Sequence, residues 1–176
     1  MKKDLKIFKN KRILITGHTG FKGSWLSLWL KNLGADVLGI SKDVPTKPSH
    51  FELINLENKI KNKFVDITNL KKLKKIFTNF KPDYVFHLAA QSLVKKSYKE
   101  PLLTFHSNTI GTLNIMECLK ELKNNCIAVI ITSDKSYKNL EIKRGYKEDD
   151  MLGGFDPYSS SKASAELIIQ TYYKSY

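Results

Sequence analysis

The chain has few of the residues that mark disulfide-rich, metal-binding or membrane-spanning proteins. Its 176 residues include 2 cysteines and 5 prolines, too few cysteines for a disulfide framework or a thiolate metal centre. No apolar run approaches the roughly 20 residues that a membrane-spanning helix needs. The lysine-rich N-terminus shows no apolar segment with a small-residue cleavage site. We therefore expect a cytoplasmic protein with buried thiols at Cys118 and Cys126, no bound metal and no membrane association.

Acidic residues are also scarce, 17 against 30 basic ones, which gives a net charge of +13. The electrostatic field of such a charge attracts phosphate groups, whatever the base sequence of the nucleic acid. The lysine clusters at 59–63, 71–75 and 95–99 occupy separate places along the chain, however. We interpret these clusters as solvent-exposed faces and do not expect nucleic-acid binding. A nucleotide substrate is also an anion, so basic residues near its binding site would be expected without any nucleic acid.

A glycine-rich turn stands near the start of the chain. Gly17, Gly20 and Gly23 follow the apolar segment 12–16 (RILIT) and precede apolar residues at helical spacing over 24–33. Glycines in a strand–turn–helix context let the backbone approach a pyrophosphate, which then meets free N–H groups at the helix N-terminus. The pattern predicts a dinucleotide site, with contacts from Gly17, Thr19, Gly20, Phe21, Lys22 and Gly23.

Strands and helices are predicted to alternate along the whole chain. We place strands at 12–16, 36–40, 63–66, 84–89 and 127–132, and helices at 21–33, 70–80, 102–122 and from 157 onward. Thr68 is the expected N-cap of the helix at 70–80, and Asp156, before Pro157, that of the last helix. Such alternation predicts an α/β fold with a doubly wound parallel sheet.

A tyrosine and a lysine near the C-terminus have the spacing of a catalytic pair. Tyr158 and Lys162 are four residues apart, so they share one face of a helix. A free tyrosine has a pKa of about 10, and a neighbouring ammonium stabilises the phenolate that can accept a proton. Ser133, Asp134 and Lys135 follow the last predicted strand, at the sheet edge where such folds bind ligands.

Several segments together resemble one known family. They are 17–26 (GHTGFKGSWL), 87–91 (HLAAQ), 108–112 (NTIGT), 132–135 (TSDK) and 158–162 (YSSSK). They resemble the extended short-chain dehydrogenase/reductase superfamily and, within it, the CDP-glucose 4,6-dehydratase family. The resemblance implies a Rossmann-like NAD-binding domain over 11–176 after an extension at 1–10. It also implies that the sixth strand and the nucleotide-sugar domain are absent, so that the chain alone would be an inactive or partner-dependent fragment. Another nucleotide-sugar dehydratase or an epimerase is the alternative.

The resemblance implies a reaction in three stages. Tyr158, assisted by Lys162, would remove the proton of the sugar 4-hydroxyl while hydride passes from C4 to NAD, and Ser133 would bond the 4-oxygen. Asp134 would protonate the departing 6-hydroxyl as the C5 proton is lost. Hydride would then return to C6, leaving a 4-keto-6-deoxy sugar. Lys135 is either the C5 base, which requires it to be partly neutral, or a stabiliser of the enolate, in which case another group takes the C5 proton.

Further contacts are implied for the same segments. The expected cofactor contacts also include Asp66, Ile67, Leu88, Ala89, Ala90, Tyr158 and Lys162, with a plain strand-end turn as the alternative at 66–67. The expected substrate contacts are Gln91, Ser92, Lys95, Tyr98 and Asn108, the last with a solvent-facing role as the alternative. We interpret His87 as a packed strand histidine rather than a catalytic group.

The residues alone leave open the choice between NAD and NADP and the oligomeric state. The second strand ends in Ser41-Lys42-Asp43 without the ribose-binding acid of the fingerprint, and Ser41 or Lys42 could hold a 2′-phosphate. The resemblance favours NAD over NADP. It also implies a homodimer built from the helix at 102–122 and the Tyr158 helix, which carry apolar side chains such as Leu113 and Leu167.

Overall fold

The computed structural model describes residues 4–176 and contains a five-stranded parallel sheet. The strand order is β3-β2-β1-β4-β5. The strands are β1 (Arg12–Thr16), β2 (Asp36–Ser41), β3 (Lys61–Phe64), β4 (Tyr84–His87) and β5 (Ile127–Ile130). The order reverses between β1 and β4, which is the doubly wound arrangement that the alternation of elements predicts. The chain divides into two compact units, residues up to 89 with 118–131, and 90–117 with 132–176.

The first unit contains the whole sheet with α1 (Phe21–Asn32), α2 (His50–Leu53) and α3 (Leu70–Phe80), together with a 3-10 turn at Leu56–Asn58. β1 lies at the centre, and its Ile13, Leu14 and Ile15 are completely buried. Leu30 of α1 and Val37 of β2 join Ile13 and Ile15 in the core. A continuous apolar run is what a strand covered on both faces requires.

Three strand predictions differ from the structure by two residues. β4 and β5 each end two residues earlier than predicted, at His87 and Ile130, and the edge strand β3 is shifted. β3 runs two residues earlier than predicted, because Leu38 to Ser41 of β2 pair with Lys61 to Phe64. Most of its side chains are exposed, so no alternation of polar and apolar residues marks its ends. β5 forms the opposite edge, where Ile127 and Val129 are 57% and 38% exposed.

Residues 4–8, predicted as part of an extension, form a 3-10 helix in the first unit. The ring of Phe8 lies edge-on to that of Tyr84, with 5.3 Å between centroids. This short helix therefore contributes to the core beside β4.

The second unit is built from helices. They are α4 (Val94–Lys99), α5 (Pro101–Phe105), a π-helical turn (His106–Ile110), the start of α6 (Gly111–Lys120), a 3-10 turn (Asp134–Ser136) and α7 (Pro157–Ser175). The prediction of one regular helix over 102–122 is wrong in its interior, because five residues adopt the wider π geometry. α4, α5 and the π turn all pack against α7.

The caps correct one prediction and confirm another. Thr68 is not the N-cap of α3; Asn69 is, and its side chain accepts a hydrogen bond from Lys72 N–H at 3.0 Å. Thr68 instead bonds to Asp66. Asp156 does cap α7, with Pro157 in the first turn. Among residues 4–176, no helix combines the length and apolar character needed to cross a bilayer.

Candidate functional site

The glycine turn between β1 and α1 is packed too closely for larger residues. Gly17 has φ +77°, and a Cβ on it would lie 2.7 Å from Ala89 N. A Cβ on Gly23 would lie 2.1 Å from Gly17 O. Since real Cβ atoms do not approach backbone so closely, both positions require glycine for the turn to close.

The N-terminus of α1 is open towards the outside of this turn. Gly20 is the N-cap, and no side chain in the described part of the chain caps the helix. A Cβ on Gly20 would meet Gly17 O at 3.3 Å, with nothing else within 4 Å. Uncapped N–H groups and the helix dipole favour an anion at this point. The turn therefore fits a pyrophosphate, with Phe21 and Lys22 exposed on the first helical turn.

A buried polar group supports the turn from β2. The Ser41 hydroxyl accepts a hydrogen bond from Thr19 N–H at 3.3 Å and lies 2.9 Å from His18 Nδ1. The hydroxyl of Thr19 donates to Asp43 O at 2.6 Å. His18 is fully buried over Gly39, where a Cβ would lie 2.3 Å from the ring. Ser41, predicted as a cofactor contact, thus holds the turn in place, and burial lowers the pKa of His18.

The sequence reasoning gave no role to His18. The one available sign was Gly39 inside β2, since a glycine within a strand often marks the close approach of another group.

Lys42 and Asp66 form an ion pair where β2 and β3 end. Lys42 Nζ lies 3.2 Å from Asp66 Oδ2. Asp66 Oδ1 accepts hydrogen bonds from Thr68 N–H at 2.9 Å and from the Thr68 hydroxyl at 2.8 Å. Burial raises the pKa of Asp66, but the bonds from Thr68 and Lys42 outweigh it and hold that pKa below its ordinary value. Ile67, predicted with Asp66 as a cofactor contact, is buried.

The segment after β4 lies against the glycine turn. Leu88 N–H donates to Thr16 O at 3.1 Å, and Ala89 N–H donates to the Thr16 hydroxyl at 3.2 Å. The same hydroxyl lies 2.6 Å from Nδ1 of His87, which is 2% exposed. The structure brings Leu88 and Ala89 to Gly17, and His87 is packed within the sheet.

In the second unit, Tyr158 and Lys162 lie on α7 as the spacing predicts. Tyr158 is half-buried, and Lys162 is only 6% exposed. Burial lowers the pKa of Lys162 to about 8, while the charge of Glu166 raises it. Glu166 accepts a hydrogen bond from the Thr132 hydroxyl. The sequence reasoning missed Glu166, although its position four residues after Lys162 on a helix could have indicated it.

Ser133, Asp134 and Lys135 cluster around a 3-10 turn that contacts α7. The Ser133 hydroxyl donates to Asp134 Oδ1 at 3.1 Å and accepts from Lys135 N–H at 3.2 Å. Lys135 Nζ lies 3.9 Å from Asp134 Oδ2. The side chains of Asp134 and Lys135 are 86% and 53% exposed, so this ion pair lies in reach of solvent.

The predicted substrate contacts fall into two groups within the second unit. Asn108, in the π turn, is 1% exposed and bonds to Gln91 and Ser161. The side chain of Gln91 also bonds to Leu93 and Thr104. Ser92, Lys95 and Tyr98 are exposed on or before α4, and Ala90 is half-buried. A direct contact of any of these residues with substrate stays a prediction.

Known proteins resemble this chain over nearly its whole length. The profile of the family described as GDP-mannose 4,6 dehydratase matches residues 14–176. The chain is 46% identical over 173 residues to the CDP-glucose 4,6-dehydratase of Salmonella typhimurium, covering 98% of this chain and 48% of that protein. It is 33% identical over 171 residues to the UDP-glucuronate 4-epimerase of Thermodesulfobacterium geofontis, covering 93% and 51%. The chain thus spans about half the length of these relatives.

Solved structures of related enzymes have a similar fold over most of this chain. An epimerase of Methanothermobacter thermautotrophicus has a TM-score of 0.85 and 27% identity, covering 98% of this chain and 50% of its own. The UDP-glucose 4-epimerase of Thermus thermophilus, solved as a complex with NAD, has a TM-score of 0.80 and 28% identity, covering 94% and 51%. The bound NAD agrees with the cofactor predicted from the sequence. The chain belongs to the GDP-mannose 4,6 dehydratase family of extended short-chain dehydrogenases/reductases.

Proposed function

We propose that this chain carries the NAD-binding and catalytic residues of a nucleotide-sugar 4,6-dehydratase that converts CDP-glucose into CDP-4-keto-6-deoxyglucose. The observation that carries the proposal is the buried Lys162 one helical turn after Tyr158 on α7. The identity to the Salmonella CDP-glucose 4,6-dehydratase supports the choice of reaction and of nucleotide.

NAD would be held in the first unit. The turn from Gly17 to Gly23 and the N-terminus of α1 suit its pyrophosphate, because they offer close backbone approach and uncapped N–H groups. Asp66, Ile67, Leu88 and Ala89 are the further proposed contacts there. Ala90, Tyr158 and Lys162 are those proposed from the second unit. When bound, NAD supplies a reversible hydride acceptor.

Tyr158 is proposed to take the proton of the sugar 4-hydroxyl. The charged form of Lys162 stabilises the phenolate that this step requires, and it does so strongly because Lys162 is shielded from water. Ser133 would donate a hydrogen bond to the oxygen at C4. The Ser133 hydroxyl, which donates to Asp134 Oδ1 in this structure, would exchange that bond for one to the C4 oxygen, while Lys135 N–H continues to hold the Ser133 oxygen.

Asp134 and Lys135 would carry the loss of water across C5 and C6. Asp134, in its carboxylic acid form, would protonate the leaving 6-hydroxyl, and Lys135, in its neutral form, would take the C5 proton. Where Lys135 instead stabilises the enolate as an ammonium, another group takes that proton. An exposed acid and base within 3.9 Å of each other favour a dehydratase over an epimerase, since inversion at C4 needs no acid for a 6-hydroxyl.

The proposal also includes the residues that contact the substrate and the oligomeric state. Gln91, Ser92, Lys95, Tyr98 and Asn108 would contact the sugar or its diphosphate. We also propose a homodimer through α6 and α7, where Leu167 is 56% exposed on the face that would meet the partner copy.

The test is turnover by a fusion of this chain to the second half of the Salmonella relative. We expect loss of one water from CDP-glucose, seen by mass spectrometry, in the presence of NAD. Tyr158→Phe should reduce turnover by about 10³-fold or more, because the proton acceptor is removed. Tyr173→Phe is the matched control, since it removes a hydroxyl from a residue that is 85% exposed on the same helix.

Two results would contradict the proposal. A fusion that binds NAD but releases no water from CDP-glucose would refute the assigned reaction. Turnover that Tyr158→Phe leaves unchanged would refute the role of Tyr158.

A further inference from the structure

Two ion pairs join β2 to β3, one at each end of the strands. At the amino ends, Lys61 Nζ lies 2.7 Å from Asp36 Oδ2. Beyond the carboxyl ends, Lys42 Nζ lies 3.2 Å from Asp66 Oδ2. All four side chains are partly exposed. Each pair joins a lysine to an aspartate, and the two pairs differ in that they lie at opposite ends of the strands.

The carboxyl-edge pair stands beside the proposed dinucleotide site. Lys42 follows β2 directly, and in doubly wound folds the end of this strand meets the adenosine ribose. The adjoining residues also contact the glycine turn, since Thr19 N–H donates to the Ser41 hydroxyl and the Thr19 hydroxyl to Asp43 O. A 2′-phosphate on that ribose would therefore lie near Lys42.

Lys42 is the group that could accept such a phosphate, but Asp66 already holds it. The carboxylate of Asp66 is fixed in turn by two bonds from Thr68. An incoming 2′-phosphate would have to displace a carboxylate of the same sign that is anchored in place. A ribose 2′-hydroxyl carries no charge and meets no such repulsion.

We propose that Asp66, by holding Lys42 in an ion pair, makes this site select NAD over NADP. The proposal rests on the NAD site of the proposed function and adds to it a specificity-determining pair. Asp43, next to Lys42 in the chain, carries another negative charge and is the competing explanation for any such preference.

The experiment is direct titration of the 176-residue chain with NAD and NADP, giving the ratio of the two Kd values. The unmodified chain should bind NAD more tightly. Asp66→Asn should lower the ratio Kd(NADP)/Kd(NAD) about tenfold, because it frees Lys42 for charge-assisted bonds to phosphate. Adding Lys42→Gln to that variant should restore the original ratio.

Asp36→Asn is the matched control. It breaks the other ion pair between the same two strands, and β2 places it roughly 17 Å from the carboxyl edge at about 3.3 Å per residue. That distance exceeds the Debye length of about 8 Å at physiological salt. The ratio should stay within about twofold of the unmodified chain, since the removed charge is screened from the site.

The outcomes separate this inference from the proposed function. A chain that binds neither dinucleotide overturns both. A chain that binds NAD, and whose ratio is unchanged by Asp66→Asn or changed only by Asp43→Asn, overturns the inference alone. A ratio that Asp36→Asn lowers as much as Asp66→Asn does would also overturn it, because the effect would then be one of net charge.

Discussion

Asn108 satisfies both main-chain groups of Gln91 with one side-chain amide. Its Oδ1 accepts from Gln91 N–H at 2.8 Å, and its Nδ2 donates to Gln91 O at 3.0 Å. The same Nδ2 donates to the Ser161 hydroxyl at 2.9 Å. Because Asn108 is 1% exposed, water cannot replace these bonds. Asn108 therefore ties residue 91 to α7, three residues from Tyr158.

Replacing Asn108 by Asp should test how far this contact stabilises the fold. A carboxylate accepts hydrogen bonds but cannot donate to Gln91 O or Ser161, and it would bury a charge. We expect the free energy of unfolding to fall by about 2–4 kcal/mol, measured by urea denaturation at pH 7. Asn139→Asp is the control: Asn139 is exposed and its Oδ1 accepts two bonds, which a carboxylate can keep. Equal losses in both variants would contradict the assigned role.

Gly20 and Gly23 should respond to substitution in different ways. Gly23→Ala places a Cβ 2.1 Å from Gly17 O, so we expect the free energy of unfolding to fall by about 2–4 kcal/mol. Gly20→Val places its Cβ 3.3 Å from Gly17 O, a tight contact that a small shift relieves, so stability should fall by no more than about 1 kcal/mol, while the side chain fills the space outside the turn. Binding of NAD should nevertheless weaken at least about tenfold, measured by titration. Unchanged NAD affinity in Gly20→Val would place the pyrophosphate elsewhere.

The burial of Lys162 should cost stability at neutral pH. Its pKa is about 8 in the folded chain, below the unfolded value of about 10.4. Between these two values the unfolded chain binds more protons, so the cost is greatest below pH 8 and decreases as the pH rises towards 10. Lys162→Met should therefore raise the free energy of unfolding by about 1–2 kcal/mol at pH 7, with less gain at pH 9.5.

Urea denaturation at the two pH values measures this difference. Lys174→Met, at an exposed position on the same helix, should show no such dependence on pH. A loss of stability in Lys162→Met that is the same at both pH values would mean that packing, not charge, governs the site.

The N-cap of α7, like Lys162, should contribute more favourably to stability as the pH rises, but over an acidic pH range. Asp156 accepts bonds from Ser159 N–H at 3.0 Å and from the Ser159 hydroxyl. Burial raises the pKa of Asp156, but these bonds outweigh it and lower that pKa. The stabilisation is therefore complete above the unfolded pKa of about 4 and is lost as the pH falls through the lower folded value.

Asp156→Ala should cost about 1–2 kcal/mol at pH 7, measured by urea denaturation. The difference from the unmodified chain should shrink as the pH falls below about 4. A difference that persisted unchanged in acid would assign the cap to geometry rather than to the charge of Asp156.

The centre of the fold could be predicted from the sequence because its residues are buried. β1 and the glycine turn were placed correctly, since a covered strand must be apolar and a tight turn must contain glycine. The predicted position of the edge strand β3 differs from the structure by two residues, because its exposed side chains show no alternation of polar and apolar residues. The cap of α3 was assigned one residue too early, as adjacent Thr68 and Asn69 are both good cap residues.

Contacts between residues far apart in the chain could not be predicted in the same way. Ser41 and Lys42 were interpreted from their place after β2, whereas the structure bonds them to His18 and Asp66. Each partner lies more than 20 residues away in sequence, so only the paired strands bring them together. The sequence identifies Ser41 as a hydroxyl and Lys42 as a charged group, but not the partners to which the fold bonds them.

The π turn at His106–Ile110 changes the phase of the helical segment that contains it. The backbone remains helical on both sides, as the dihedral angles of Phe105 and Gly111 show. The π turn holds one residue more than a regular α-helical turn. Every side chain of α6 is therefore rotated about the helix axis by about 100° from its position in an uninterrupted continuation of α5. A substitution within the turn leaves this offset in place. Deletion of one residue there would produce a more regular helix and turn the whole of α6 to a different face.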